Sequence, residues 1–323
     1  MITFSKLGKD GGNFGNQLHQ IASLTGFSEK YGCDFIIPKW KYASYFLNPP
    51  KQSEAKADLQ INEIHFHFTP EYWDTFKEDF ANKTVDIRGW LQCEKYWSHC
   101  REKVFQTFAF QLGTLDHLKQ KFSKVFEKEV VAISIRRGDF VTNPDHYLLP
   151  IEYYFSALRT FFPEFKKFNI IIFSDDWKYC KSYIRHLPNI YFAAKLDPGE
   201  QLCLMSLCDH FIISNSTFSW WGAMLGEKNN SKIIRPAYHF AGELLKKYDW
   251  KDYYPERWIM YNHVNDSINI SMFVRSSFVI NTLLGITKYK KLFVQNSKRI
   301  KARLLTNVKR KKVSKEILFK GNE

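Results

Sequence analysis

Val130-Val131-Ala132-Ile133-Ser134-Ile135-Arg136-Arg137-Gly138-Asp139-Phe140 decides how the rest of the chain is read. The stretch begins as an apolar, largely β-branched run, which predicts a buried strand. The residues after it leave the strand as a polar loop. In open α/β sheets ligands bind outside the carboxyl ends of strands, and the two arginines fall there. Adjacent guanidinium groups offer planar, permanently charged forks that match phosphate oxygens. Gly138 lets the turn close, and Asp139 sets a carboxylate beside the cations, where it serves equally well as an ordinary ion-pair partner.

Short apolar runs recur downstream at 169–173, 189–192, 210–214 and 232–235, separated by helical patterns around 151–162, 177–186, 200–208 and 217–227. Repeated strand–helix units predict an α/β fold with a parallel sheet covered on both faces. Upstream, 2–7 reads as a strand, 8–17 as a glycine-rich loop, and Leu18, Ile21 and Ala22 as the apolar face of a helix. That order can present backbone N–H groups to an anion, or simply make a tight turn. The glycine spacing is neither G-x-G-x-x-G nor a P-loop. Residues 33–38 and 85–89 read as further strands, and 94–127 as helical. Residues 39–82 are irregular, apart from an alternation at 64–68 that places His65 and His67 on one strand face. With no third ligand nearby, a half-exposed strand accounts for that pair better than a metal site.

A chain of 323 residues exceeds one ordinary core, so two domains are expected, divided at the Glu127-Lys128-Glu129 joint. Residues 1–127 form the first, 128–266 the second, and 267–323 a tail. Hydrophobic content of 45% and charged content of 25% describe a globular body, and 17% aromatic residues favour a cleft with flat walls. The net charge of +14 is uneven: 267–323 holds 14 Lys and Arg against two Glu, which leaves the body near neutral. Leucines, valines and isoleucines interleave with those cations. The tail therefore suits an anionic membrane surface or a solvated extension, and no nucleic-acid-reading motif accompanies it. Six cysteines lack zinc-like spacing, and the chain shows neither a secretory signal nor a run of about 20 apolar residues. A cytoplasmic protein with reduced thiols is expected, in peripheral contact with the inner face of a membrane through its tail.

Two further strand ends join the arginine loop. Phe173-Ser174-Asp175-Asp176-Trp177 ends a strand in paired acids, suited to a guanine edge or ribose hydroxyls, or to capping the next helix. Ser214-Asn215-Ser216-Thr217-Phe218-Ser219-Trp220-Trp221-Gly222-Ala223 supplies hydroxyl and N–H donors at a helix start. A cap alone accounts for Ser216 or Thr217, but not for the whole string.

These motifs, with Gly12-Asn13-Phe14-Gly15-Asn16-Gln17 near the start and Leu204-Met205-Ser206 before the last string, resemble glycosyltransferase family 11, the α-1,2-fucosyltransferases of bacterial type. The resemblance spans roughly residues 1–240. It implies two Rossmann-like domains facing across a cleft, a GT-B-like fold, with GDP-fucose held mainly by the second domain. It also implies metal-independent, inverting transfer of L-fucose to the 2-hydroxyl of a galactose in a surface glycan. Carried over by position, Arg137 binds the β-phosphate and assists its departure, and Arg136 orients the loop. Gly15, Asn16 and Gln17 approach the diphosphate or the fucose. Asp175 or Asp176 reads guanosine, and Asn215, Ser216, Thr217 and Phe218 line the phosphates.

Inversion calls for a base, for which Asp139 is the nearest carboxylate. Beside two guanidinium groups it holds its charge and accepts a proton poorly, so it serves as well to orient an arginine. The chain departs from the family at Ser134, usually His, at Phe140, usually Tyr, and at His19 and Gln201. Ser134 opens one alternative, a different GDP-linked deoxysugar donor; a second, from another class, is a catalytically silent nucleotide-sugar or glycan-binding protein recruited to membranes by the tail.

Overall fold

A computed structural model describes residues 1–9, 12–265 and 268–275. Its strands are β1 (Ile2–Thr3), β2 (Phe35–Ile36), β3 (Leu59–Asn62), β4 (Val85–Arg88), β5 (Val130–Ile135), β6 (Asn169–Ser174), β7 (Ile190–Phe192), β8 (His210–Ile212), β9 (Ile233–Pro236) and β10 (Ile259–Tyr261). They form two wholly parallel sheets, ordered β2-β1-β4-β3 and β10-β9-β8-β5-β6-β7. The fold is α/β, as the strand–helix alternation predicts. All six residues of β5 are buried, and so are all six of β6, its partner in register from Val130–Asn169 to Ile135–Ser174. A central parallel strand covered by helices has no wet face, which is why these runs are apolar without alternation.

The strand order fixes where a ligand can sit. In the larger sheet the chain runs outward from β5 to β7, then returns to β8 on the other side of β5. The order therefore reverses between β5 and β8, and the crevice of such a sheet opens at that reversal. In the smaller sheet the equivalent reversal lies between β1 and β4. The loops leaving these four strands carry much of the site, joined by the ends of β6 and β9.

The described chain packs as two compact units. Met1–Trp177 with His186–Ile270 holds both sheets and everything discussed below. Within it the Phe14–Tyr31 helix packs on the Thr217–Gly226 helix, with His19 wedged 4.5 Å from Trp220 and 5.2 Å from Trp221. Burial lowers the His19 pKa to about 3, so the ring stays neutral in this apolar seam. Arg257 clasps the two halves at the rim, donating to Glu94 (2.7 Å) and Glu227 (2.8 Å), while Arg101 also reaches Glu227 (2.8 Å). The other unit holds Lys178–Arg185 and the chain from Ser271, where Arg185 N donates to Phe273 O (2.7 Å) and Arg275 N to Tyr183 O (2.9 Å).

Several expectations are corrected. The first strand ends at Thr3, not at residue 7, because Ser5 N and Oγ both donate to the Asp86 carboxylate (2.8 and 2.9 Å) and pull the chain out of the ladder. Residues 64–68 form no strand; the rings of His65 and His67 instead stack in parallel, 5.1 Å apart. The 39–82 stretch contains β3 and two short helices, Pro70–Asp74 and Lys77–Asn82. All six cysteines are free thiols, and among the described residues no helix is long and apolar enough to cross a membrane. The basic tail lies outside the described residues beyond 275, as do Asp10 and Gly11 of the glycine-rich loop.

Candidate active site

Both sheet reversals face one cavity of about 760 Å3, lined from the larger sheet by Ser134, Arg136, Asp139, Asp175 and Ser216–Ser219, and from the smaller by Asn13–Asn16, Trp90 and Gln92. Arg136 leaves β5 directly into it. Its guanidinium is held on two sides, by Asp175 Oδ2 (2.6 Å) and Asp139 Oδ1 (2.5 Å), and sits 5.3 Å from the Phe140 ring. Its Nε is buried and has no hydrogen-bond partner among the described residues. The side chain as a whole is 26% exposed and lines the cavity, so its guanidinium is within reach of an anion that enters. Gly138 permits this fold-back, because a Cβ there would fall 2.4 Å from Asp175 Oδ2.

Arg137 is placed differently. Its backbone N donates to Asp175 Oδ1 (2.9 Å) and its Nε to Asp176 Oδ2 (3.3 Å), and it does not line the cavity. Asp176 is likewise outside the lining. The paired acids thus act first as anchors of the arginine loop, and only Asp175 faces the cavity.

Two helices aim their N-termini at the same space. The first residues of the Phe14–Tyr31 helix are Phe14, Gly15 and Asn16; those of the Thr217–Gly226 helix are Thr217, Phe218 and Ser219. Neither first turn holds an acidic residue, so no carboxylate offsets the positive end of either dipole. Ser216 caps the second helix, accepting from Phe218 N (3.3 Å). Asn16 Oδ1 joins the two walls by accepting from Thr217 Oγ1 (2.8 Å) and Gln92 Nε2 (3.0 Å). Asn215 Nδ2 ties down the loops beside it through Tyr147 O (2.9 Å) and His239 O (2.7 Å). Gln17 points away from the cavity: it donates to Gly12 O (2.6 Å) and accepts from Trp40 Nε1 (2.9 Å), which braces the glycine-rich loop.

The opposite wall depends on Glu63. After β4 the chain turns through Gly89 (φ 151°) and Leu91 (φ 52°), and Glu63 Oε2 accepts from Trp90 N (2.7 Å) and Leu91 N (3.2 Å) while Oε1 accepts from Tyr96 Oη (3.0 Å). Burial pushes this carboxyl from 4.5 up to about 7, against the pull of those three donors. Because the folded pKa is the higher one, the stability it contributes is complete below about pH 4.5 and is lost as pH rises through about 7. Thermal melts should therefore show Glu63→Gln gaining on the wild type between pH 5 and 8, by about 3 kcal/mol at most. An unchanged difference across that range would rule out the buried carboxyl as the source.

The arrangement brings together Gly15, Asn16, Arg136, Asp139, Asp175, Asn215, Ser216, Thr217 and Phe218, and leaves Gln17, Arg137 and Asp176 behind the wall. Reasoning from sequence missed Trp90 and Gln92, although they follow a strand and the strand-end rule would have marked them. It also missed Tyr42, His146, His239 and Phe240, which sit in irregular loops that give no periodic signal. Among the described residues no group of three or more His, Cys, Asp or Glu is disposed to hold a metal.

Known proteins resemble this chain. An alpha-1,2-colitosyltransferase from Escherichia coli is 31% identical over 184 residues, covering 54% of this chain and 62% of the relative. An O-antigen biosynthesis glycosyltransferase, WbnK, from the same species is 37% identical over 123 residues, covering 36% and 41%. The galactoside alpha-(1,2)-fucosyltransferase 1 of Pan troglodytes is 24% identical over 247 residues, covering 66% and 63%. The matches span less than two thirds of the length of each of these relatives. The family described as glycosyl transferase family 11 matches residues 10–262, which takes in every strand but β1, both helix N-termini and every residue that lines the cavity. This chain belongs to glycosyl transferase family 11.

Proposed function

We propose that this protein transfers L-fucose from GDP-fucose to the 2-hydroxyl of a galactose in a surface glycan, with inversion and without a metal ion. The observation that carries the reading is the convergence of the Arg136 guanidinium and two helix N-termini on one cavity. Departure of GDP places negative charge on the β-phosphate, and preorganised donors aimed at developing charge are the largest common source of rate enhancement. In this reading Arg136 meets the phosphates directly, with Arg137 supporting the loop and adding charge behind it. Gly15 and Asn16 approach the diphosphate from the smaller sheet, and Ser216, Thr217 and Phe218 from the larger. Gln17 and Asn215 hold loops, and in this reading Asp175, which lines the cavity, meets guanosine while Asp176 anchors the loop behind it. The α-1,2 linkage in the names of two of the relatives supports the linkage proposed.

A second reading keeps the site and changes the sugar to another GDP-linked deoxysugar. It is favoured by a hydroxyl row at the cavity wall, in which Ser219 Oγ lies 2.7 Å from Ser134 Oγ and 2.8 Å from Ser214 Oγ. Peripheral membrane contact through 267–323 belongs to this proposal on charge alone; failure to pellet with anionic vesicles at low salt would remove it. The deciding test is GDP release from GDP-fucose in EDTA, with and without lactose. Acceptor-stimulated release is expected. GDP binding without turnover would transfer the reading to other donors or to a silent binding protein, and neither binding nor turnover would refute it.

A further inference from the structure

The site so far described lacks a proton acceptor. Asp139 is committed to Arg136 at 2.5 Å, and Glu63 lies behind the Trp90 turn with both oxygens taken. Two histidines line the cavity, His146 and His239, and their surroundings differ. His239 is 4% exposed and packed 4.0 Å from the Tyr253 ring and 4.3 Å from Phe240, and burial lowers its pKa to about 3. So weak a base takes little part in proton transfer near neutral pH.

His146 is half-buried and rigidly held. Its ring stacks on Phe140 at 4.2 Å with planes 2° apart, and Phe140 carries Arg136 on its own face, 5.3 Å away. Its backbone bridges to Phe240, and its neighbours are pinned by Asn215 to Tyr147 O (2.9 Å) and by Ala241 N to Asp145 O (2.8 Å). Neither ring nitrogen bonds to a described residue, so the polar edge is left for whatever occupies the cavity.

We propose that His146 is the general base of the transfer, accepting the proton of the acceptor hydroxyl as its oxygen attacks the anomeric carbon. The proposal rests on the transferase reading above and deepens it. In the step, the acceptor O–C1 bond forms as the C1–O bond to the β-phosphate breaks. The electron pair leaves with GDP, and the hydroxyl proton passes to an imidazole nitrogen, from which solvent later removes it. The charged groups facing His146 suit a base that must carry a proton briefly. Burial lowers the His146 pKa below the ordinary imidazole value, with Asp139 and Asp145 opposing and Arg136 adding to the shift, which leaves the ring neutral and receptive at pH 7. His239, the remaining titratable neighbour, stays neutral.

The test uses the full chain and GDP-fucose with lactose, comparing wild type with His146→Ala and with His146→Phe, which keeps the stacking on Phe140. The wild type should lose kcat on an acid limb as pH falls through the imidazole range. Both variants should lose about 100- to 1,000-fold in kcat at pH 7 and lose that limb, with GDP affinity by calorimetry within about threefold of wild type. Added imidazole should restore part of the rate to His146→Ala and none to His146→Phe. Variants that keep kcat within threefold, or keep the acid limb, would overturn the base role. So would a loss of GDP binding or of fold in both variants that tracks the loss of rate. A wild type that releases no GDP would instead overturn the transferase reading, and this proposal with it.

Discussion

Arg136→Ala should reduce kcat/KM with GDP-fucose by on the order of 100- to 1,000-fold, the cost of removing one preorganised donor aimed at developing charge. Its side chain is 26% exposed, and of the two adjacent arginines it is the one that lines the cavity. Arg137→Ala removes the pair with Asp176 behind the wall and should cost about fivefold, the scale of a partly exposed ion pair. Steady-state kinetics on the two variants, with GDP calorimetry beside them, separate the roles that adjacent sequence positions leave open. An equal or larger loss in Arg137→Ala would move the phosphate to the other guanidinium. The Arg136 effect should be reproduced in part by Asp175→Asn, since Asp175 Oδ2 fixes the Arg136 fork from 2.6 Å.

Gly15→Ala should be strongly damaging for the addition of a single methyl group at the site. A Cβ at Gly15 would lie 2.5 Å from both Phe218 N and the Thr217 carbonyl carbon, so backbone meets backbone and neither helix can yield without separating from the other. Overpacking of this kind costs about 1–3 kcal/mol. The separation would also break the Thr217–Asn16 hydrogen bond that holds the two N-termini over one cavity. Urea denaturation should show the loss of stability, and GDP affinity should fall with it. Gly113→Ala is the matched control: nothing lies within 4 Å of its Cβ position, and the change should raise stability by about 0.4–1 kcal/mol. A Gly15→Ala variant as stable as the wild type, with GDP affinity unchanged, would mean that the two helices do not meet as described.

Phe140, Ser216 and Asp175 show how far local sequence reaches. The Val130–Ile135 run, the arginine loop after it and the Ser216 cap were legible because each is set by neighbours within a few residues: a strand buried on both faces, a turn at a glycine, and a hydroxyl before a helix. Gln17 was not legible, since its turn toward Trp40 and Gly12 is chosen by a side chain 23 residues away and by a loop carbonyl. The β1 boundary failed for the same reason, with Asp86 deciding where Ser5 leaves the ladder.

Contiguous residues are enough to show that this chain is α/β and that its polar strand ends carry arginines, paired acids and hydroxyls, because burial and turn formation are local. Tertiary structure alone decided that β5 lies between β6 and β8, that the reversal in each sheet opens on the same cavity, and that Arg136 faces inward while Arg137 does not. It also brought Trp90, Gln92, His146 and His239, drawn from loops without periodicity, to the same walls. Strand order and side-chain direction follow from contacts between residues far apart in the chain, and no spacing along one strand or helix encodes them.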